Sequence, residues 1–199
     1  MLLSNKITLG RLGLTFIMVG FLTSALPYSK TAALLTFALA GLSDWLDGFF
    51  ARRRQQISAF GQLMDPLADK ILVSAAFVSF VAVHQVPAWI VITIISREFL
   101  ITGLRLLAVQ RGTVLPAGRW GKHKMIWQTI AIVTIMLGLA LQQDLLPLWL
   151  GATHVAFVNT FNTWFAYVSL SLSLIVGALT VISGVIYLWE SQNLYMEQS

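Results

Sequence analysis

Six apolar stretches of bilayer length, set apart by short polar or helix-breaking clusters, constrain this chain more than any other feature. They fall at about residues 6–25, 31–52, 61–83, 87–108, 120–141 and 159–188. A crossing of the hydrocarbon needs about 20 mostly apolar residues, so 199 residues with short connections allow roughly five to seven helices. Charged residues make up only 11% and mean hydropathy is +0.79. A soluble domain carries about 25% charged residues and could not cover its surface with so few. The chain has no cysteine, which excludes a disulfide scaffold. The expected fold is all-α: a single polytopic membrane domain over residues 1–199 with six transmembrane helices.

Pro27, Pro66, Pro87, Pro116 and Pro147 fall mostly near expected helix starts and turns, where a missing N–H does little harm. The sixth stretch exceeds what a bilayer requires and is expected to tilt, bend near Gly177 or run past the lipid. Lys6 and the apolar run 12–22 superficially mimic a signal peptide. Arg11 and Gly13 interrupt the start of that run and five more crossings follow, so it reads as a retained first helix.

Charge placement sets the expected orientation. With the N-terminus in the cytoplasm, the inner side receives Lys6, Arg52, Arg53, Arg54, Arg111, Arg119, Lys122 and Lys124, and the outer side only Lys30. Positively charged connections stay inside, which puts both termini in the cytoplasm. Asp144 falls outside, and His84 and His154 read as ordinary interfacial residues. Trp89, Trp120 and Trp149 read as interfacial anchors. Nothing points to nucleic-acid binding.

Four of the eight acidic residues lie between Asp44 and Asp69, at the cytoplasmic ends of the second and third helices. At 100° per residue, Asp44, Asp47, Gly48 and Ala51 share a sector of about 100°, as do Gly61, Asp65, Ala68 and Asp69 on the next helix. Each aspartate at mid-membrane costs about 2.5–3.5 kcal/mol, less near the interface, and their mutual repulsion adds to this. A salt-bridge network with Lys70 and the arginines is one way to offset the charge. One or two hard divalent cations is the other, because four carboxylates can bridge a pair of Mg²⁺ or Mn²⁺ ions.

The pattern Asp44-x2-Asp47-Gly48-x2-Ala51-Arg52-x8-Gly61-x3-Asp65-x3-Asp69 resembles the signature of the CDP-alcohol phosphotransferase family, with every fixed position present. The resemblance implies a six-helix membrane fold, usually a homodimer, and transfer of a phosphatidyl or similar group from a CDP-linked donor to an alcohol, releasing CMP. It also implies that Asp44, Asp47, Asp65 and Asp69 hold the metal ions and that Asp69 is the base. Gly48, Ala51, Arg52 and Gly61 would line the CDP site.

Two further regions resemble the members that make phosphatidylglycerophosphate. The opening Asn5-x2-Thr8-x2-Arg11 matches theirs and adds Asn5 and Thr8 to the donor site. Ser96-Arg97-Glu98, Arg105 and Gly121-Lys122-His123-Lys124 resemble their Arg-Glu and Gly-Lys-x-Lys segments, with Met125 where a threonine is usual. Arg105, Arg119, Lys122 and Lys124 are therefore the expected ligands of an acceptor phosphate, since serine or choline would not need several cations. Arg97 and Glu98 read either as a structural ion pair or as a substrate contact.

The expected reaction moves the phosphatidyl group of CDP-diacylglycerol to glycerol 3-phosphate, releasing CMP, at the inner membrane of a bacterium. Cardiolipin or phosphatidylinositol-phosphate formation would use the same signature with another acceptor. A divalent-cation transporter could also carry intramembrane aspartates, though it has no use for Gly-x2-Ala-Arg beside them.

Overall fold

The computed structural model describes the backbone of residues 3–54, 59–110, 119–150 and 155–190, and the side chains of 8–43, 67–110, 121, 123–149 and 155–190. The described residues are helical apart from the short turns between helices, with no strand among them. Helices α1 (Leu3–Thr23), α2 (Ser29–Arg54), α3 (Ala59–Ala82), α4 (Ala88–Gln110), α5 (Arg119–Ala140) and α7 (Val155–Glu190) coincide with the six apolar stretches. A π-helical turn, Leu141–Leu145, and a short α6, Leu146–Leu150, extend α5 without a break.

Two departures from the sequence expectation involve proline. Pro66 lies well inside α3 rather than near its start. Pro147 lies just beyond the π turn, where the Leu146 N–H reaches back to the Leu141 carbonyl. A proline inside an α-helix removes an N–H and crowds the preceding turn, and a π turn widens that turn. The helix therefore runs on past residue 141 instead of ending there.

Packing follows the apolar stripes. Helix α1 lies against α2 and α3, while α7 lies against α4 and α5, and α2 meets α5. The shared core includes Met18, Leu22, Phe37, Leu72, Phe77, Phe80, Ile90, Ile94, Ile132, Met136 and Val176. Phe77 and Phe80 meet edge to face, with ring centroids 6.0 Å apart, an arrangement that suits the ring quadrupoles.

On α7, Ser169, Ser173, Val176, Thr180, Ser183 and Tyr187 are all buried, at alternating spacings of four and three. Spacing of that kind marks a seam turned toward neighbouring helices. Gly177 shares this face, and the helix passes through it unbroken.

The outside is apolar. Phe16, Ile92, Phe99, Trp149, Trp164 and Trp189 are largely exposed. A surface of this kind is tolerated in lipid and not in water. Two segments, His123–Trp149 and Val155–Glu190, are long and apolar enough to cross a bilayer. At 1.5 Å per residue the 36 residues of α7 reach about 54 Å, well beyond a hydrocarbon core of about 30 Å. The protein is a helical membrane protein.

The end of the bundle that holds Lys30 is tightly tied. Lys30 is only 4% exposed and donates to the carbonyls of Leu22 (2.7 Å) and Ser24 (2.6 Å), capping α1. Asp144, 8% exposed, accepts from the Thr31 backbone N–H (2.7 Å) and hydroxyl (2.8 Å) at the start of α2. A carboxylate there satisfies orphan donors and complements the helix dipole. Lys30, which the sequence marks only as a topology charge, is also a buried structural clasp.

Two tight turns close this end. Tyr28 has φ 60° between α1 and α2, and His84 has φ 59° after α3. Behind His84, the Gln85 N–H bonds the Phe80 carbonyl at 2.9 Å. His84 thus takes the left-handed position that usually falls to glycine.

Candidate active site

At the other end, α3, α4, α5 and α7 enclose a cavity of about 780 Å³. Among the described residues its wall carries four cations, Lys70, Arg97, Arg105 and Lys124, and three carboxylates, Asp69, Glu98 and Glu190. Periodicity puts them there. On α4 the buried Ile90, Ile94, Ile101 and Ala108 trace the inward stripe, and Arg97 and Arg105 continue its spacing.

Glu98 is the hub of the cluster. Its Oε1 accepts an ion pair from Lys124 and a second from Arg97 Nη1 at 3.3 Å. The Lys70 ammonium donates to the Thr102 hydroxyl, which donates in turn to the Glu98 carbonyl at 2.6 Å. Lys124 is almost fully enclosed, only 3% exposed.

Arg97 passes close to α7 because residue 184 is glycine. A Cβ there would stand 3.1 Å from Arg97 Cγ. The Arg97 Nε is buried and has no hydrogen-bond partner among the described residues. With Glu98 shared by two cations, the described cations of the wall outnumber its carboxylates by one, four to three, which leaves the cavity attractive to an anion.

The expected site residues divide unevenly. Asp69, Arg105 and Lys124 line the cavity together. Thr8 is buried on α1 and is not among the described residues that line the cavity. Asn5 is in α1, Asp44, Asp47, Gly48, Ala51 and Arg52 are in α2, Gly61 and Asp65 are in α3, and Arg119 and Lys122 open α5. The side chains of these ten, and of Trp120, lie outside the described residues, as do Arg111, Pro116 and His154 entirely.

Lys70, Thr102, Gln128 and Tyr187 were not singled out as contacts from sequence, yet all four line the cavity. A signal was available. Gln128 follows Lys124 by one turn, and Tyr187 closes the heptad-spaced stripe of α7.

A family model described as CDP-alcohol phosphatidyltransferase matches residues 1–189, and the signature from Asp44 to Asp69 falls inside that match. The chain belongs to this family. It is similar to a Bacillus subtilis family protein named CDP-diacylglycerol–glycerol-3-phosphate 3-phosphatidyltransferase, at 40% identity over 147 residues. That alignment covers 68% of this chain and 76% of the relative.

A Mycoplasma pneumoniae protein of the same name is 37% identical over 60% of this chain, which spans about half of that longer relative (52%). A Mycobacterium tuberculosis (strain H37Rv) protein named probable phosphatidylglycerophosphate synthase is 34% identical, with 78% of this chain and 71% of the relative aligned.

Proposed function

We infer that this family member moves the phosphatidyl group of CDP-diacylglycerol to glycerol 3-phosphate, giving phosphatidylglycerophosphate and CMP. One observation carries the reading: the last aspartate of the signature, Asp69, opens onto a cavity with Lys70, Arg97, Arg105 and Lys124 on its wall. An acceptor with a dianionic phosphate suits that wall, and the names of the relatives point to the same acceptor.

The signature residues suit divalent cations by the chemistry of their donors. Asp44 and Asp47 are three apart on helical α2, and Asp65 and Asp69 four apart on helical α3, so each pair shares a face. Carboxylate oxygens are hard ligands that favour Mg²⁺ or Mn²⁺ over softer metals. Asp44, Asp47, Asp65 and Asp69 would hold two such ions. When bound, the ions neutralise the pyrophosphate and the departing CMP and acidify the attacking hydroxyl.

The chain's own groups supply the rest. Lys124, Arg97 and Arg105 hold the acceptor phosphate, with Arg119 and Lys122 at the head of α5 adding to the attraction. Asn5, Thr8, Gly48, Ala51, Arg52 and Gly61 belong to the donor side. The acceptor's primary hydroxyl oxygen forms a bond to the lipid-side phosphorus as that phosphorus loses its bond to the CMP oxygen. The hydroxyl proton passes to Asp69.

The protein acts as a six-crossing homodimer in a bacterial inner membrane, with both termini and the cavity facing the cytoplasm. That placement lets the donor keep its acyl chains in lipid and its nucleotide in water.

Purified protein supplied with CDP-diacylglycerol is tested with glycerol 3-phosphate, inositol phosphate, phosphatidylglycerol and serine in turn, with chromatography of the lipid product. Product with glycerol 3-phosphate alone supports the reading, and product with another acceptor replaces it. Asp69→Asn should lower CMP release by about 10²–10⁴-fold, the usual worth of a general base. Chelation by EDTA should abolish release, and added Mg²⁺ or Mn²⁺ should restore it. Wild-type rates in Asp69→Asn protein would remove the proposed base.

A further inference from the structure

Two neutral side chains in the cavity have no role in the scheme above. Gln128 is 3% exposed and Tyr187 is 7% exposed, and both line the cavity. The Gln128 amide nitrogen and the Tyr187 hydroxyl have no hydrogen-bond partner among the described residues. Buried polar groups are nearly always satisfied, so two orphans on one cavity wall mark a place where something else supplies the bonds.

Their chemistry narrows what that is. A phosphate calls for cations, and the described residues already supply the cavity with four. An amide and a phenol each donate and accept, as a neutral hydroxyl does. Glycerol 3-phosphate has two hydroxyls: the primary one reacts, and the secondary one must be accommodated.

The spacing supports this use. Lys124 and Gln128 share a face of α5, four residues or about 6 Å apart along the axis. Gln128 lies about 10 Å deeper than Gly121 at the mouth, and Tyr187 about 4.5 Å in from Glu190 on α7. Lys124, Gln128 and Tyr187 thus line one and the same cavity, from two helices.

We propose that Gln128 and Tyr187 are specificity-determining residues that hydrogen-bond the non-reacting secondary hydroxyl of the acceptor and so select a polyol phosphate over a simple alcohol phosphate. The proposal rests on the acceptor assigned above.

The test compares glycerol 3-phosphate with 3-hydroxypropyl phosphate, which keeps the phosphate and the primary hydroxyl and lacks only the secondary one. Wild-type protein should prefer glycerol 3-phosphate in kcat/KM by about a hundredfold or more, because a site built to bond a hydroxyl is left with unpaired groups by the analogue. Tyr187→Phe and Gln128→Met should each shrink that preference about tenfold, through loss of activity on glycerol 3-phosphate. The KM for CDP-diacylglycerol and the unfolding temperature should stay unchanged.

Unaltered preference in both variants overturns the proposal. So does a wild-type protein that uses the two acceptors equally, a result that needs no variant to fold. If wild-type protein makes no product from glycerol 3-phosphate at all, the functional assignment itself fails instead.

Discussion

Lys30 with Asp144 and Lys124 with Glu98 are two polar clusters, each built on a lysine and a carboxylate, at opposite ends of the bundle. Along α5 and its extension, Lys124 and Asp144 stand 20 residues, or about 30 Å, apart. Around Lys30 and Asp144 each charged group meets helix-end partners, two carbonyls for the lysine and an N–H with a hydroxyl for the aspartate. Around Lys124 one carboxylate serves two cations, and Arg97, Gln128 and Tyr187 keep buried polar atoms without partners among the described residues. Satisfied charge holds helices in register. Surplus charge and unmet donors hold a place for a ligand, because such groups are costly unless something binds them.

This contrast predicts opposite effects for similar substitutions. Lys124→Met should raise the KM for glycerol 3-phosphate about 10- to 100-fold, as expected for loss of a charge-assisted bond. Its unfolding temperature should stay near wild type, since Arg97 still pairs with Glu98. Steady-state kinetics and thermal unfolding in one detergent separate the two readouts. A variant that lost stability and kept its KM would mean that Lys124 belongs to the architecture.

Asp144→Ala is the reciprocal experiment. It strips a carboxylate from the Thr31 N–H and hydroxyl and should cost about 2–3 kcal/mol of stability. The KM for both substrates should be unchanged in the fraction that remains folded. A raised acceptor KM would show that the two ends are coupled, which the packing as described does not require.

The fold was largely legible because lipid imposes a simple rule: backbone polar groups must bond within a helix, and the apolar lengths then mark the helices. The six long helices lie where the hydropathy places them, to within a few residues. The π turn at Leu141–Leu145 was not legible, because its hydrogen bond spans a single residue more than that of an α-helix and leaves no mark on the hydropathy pattern.

The cavity was legible in part. Arg105 and Lys124 stand in segments that resemble those of known family members, whereas Lys70 follows Asp69 directly and reads from sequence only as a counter-charge to the aspartates. Tyr187 and Gln128 were hidden differently. Neither is charged, and their importance comes from lacking partners, a property of packing that no local spacing reveals. The burial of Lys30 was not legible, because charge placement bears on which side of the membrane a residue lies and not on whether it is buried.

Away from both clusters, α7 can be probed where no charge is involved. Gly138 on α5 faces the Phe165 ring so closely that an added Cβ would overlap it. Gly138→Ala should therefore cost about 1–3 kcal/mol, the usual penalty of overpacking, as the α5–α7 contact is forced apart.

Gly177 provides the contrast of smallest expected effect. A Cβ at that position would meet Ile90 Cγ2 at 3.4 Å, an ordinary van der Waals distance. Alanine also restricts the backbone and is favoured over glycine inside a helix by about 0.8–1 kcal/mol. Gly177→Ala should leave stability unchanged or raise it by up to about 1 kcal/mol. Activity should stay at the wild-type level, because residue 177 is more than a turn deeper than Ser183, the deepest α7 residue on the cavity wall. Denaturant or thermal unfolding of the two alanine variants side by side reads the difference. A destabilised Gly177→Ala would show that α7 must flex at the point where the sequence first raised the possibility of a bend, and that the unbroken helix is one member of a moving pair of states.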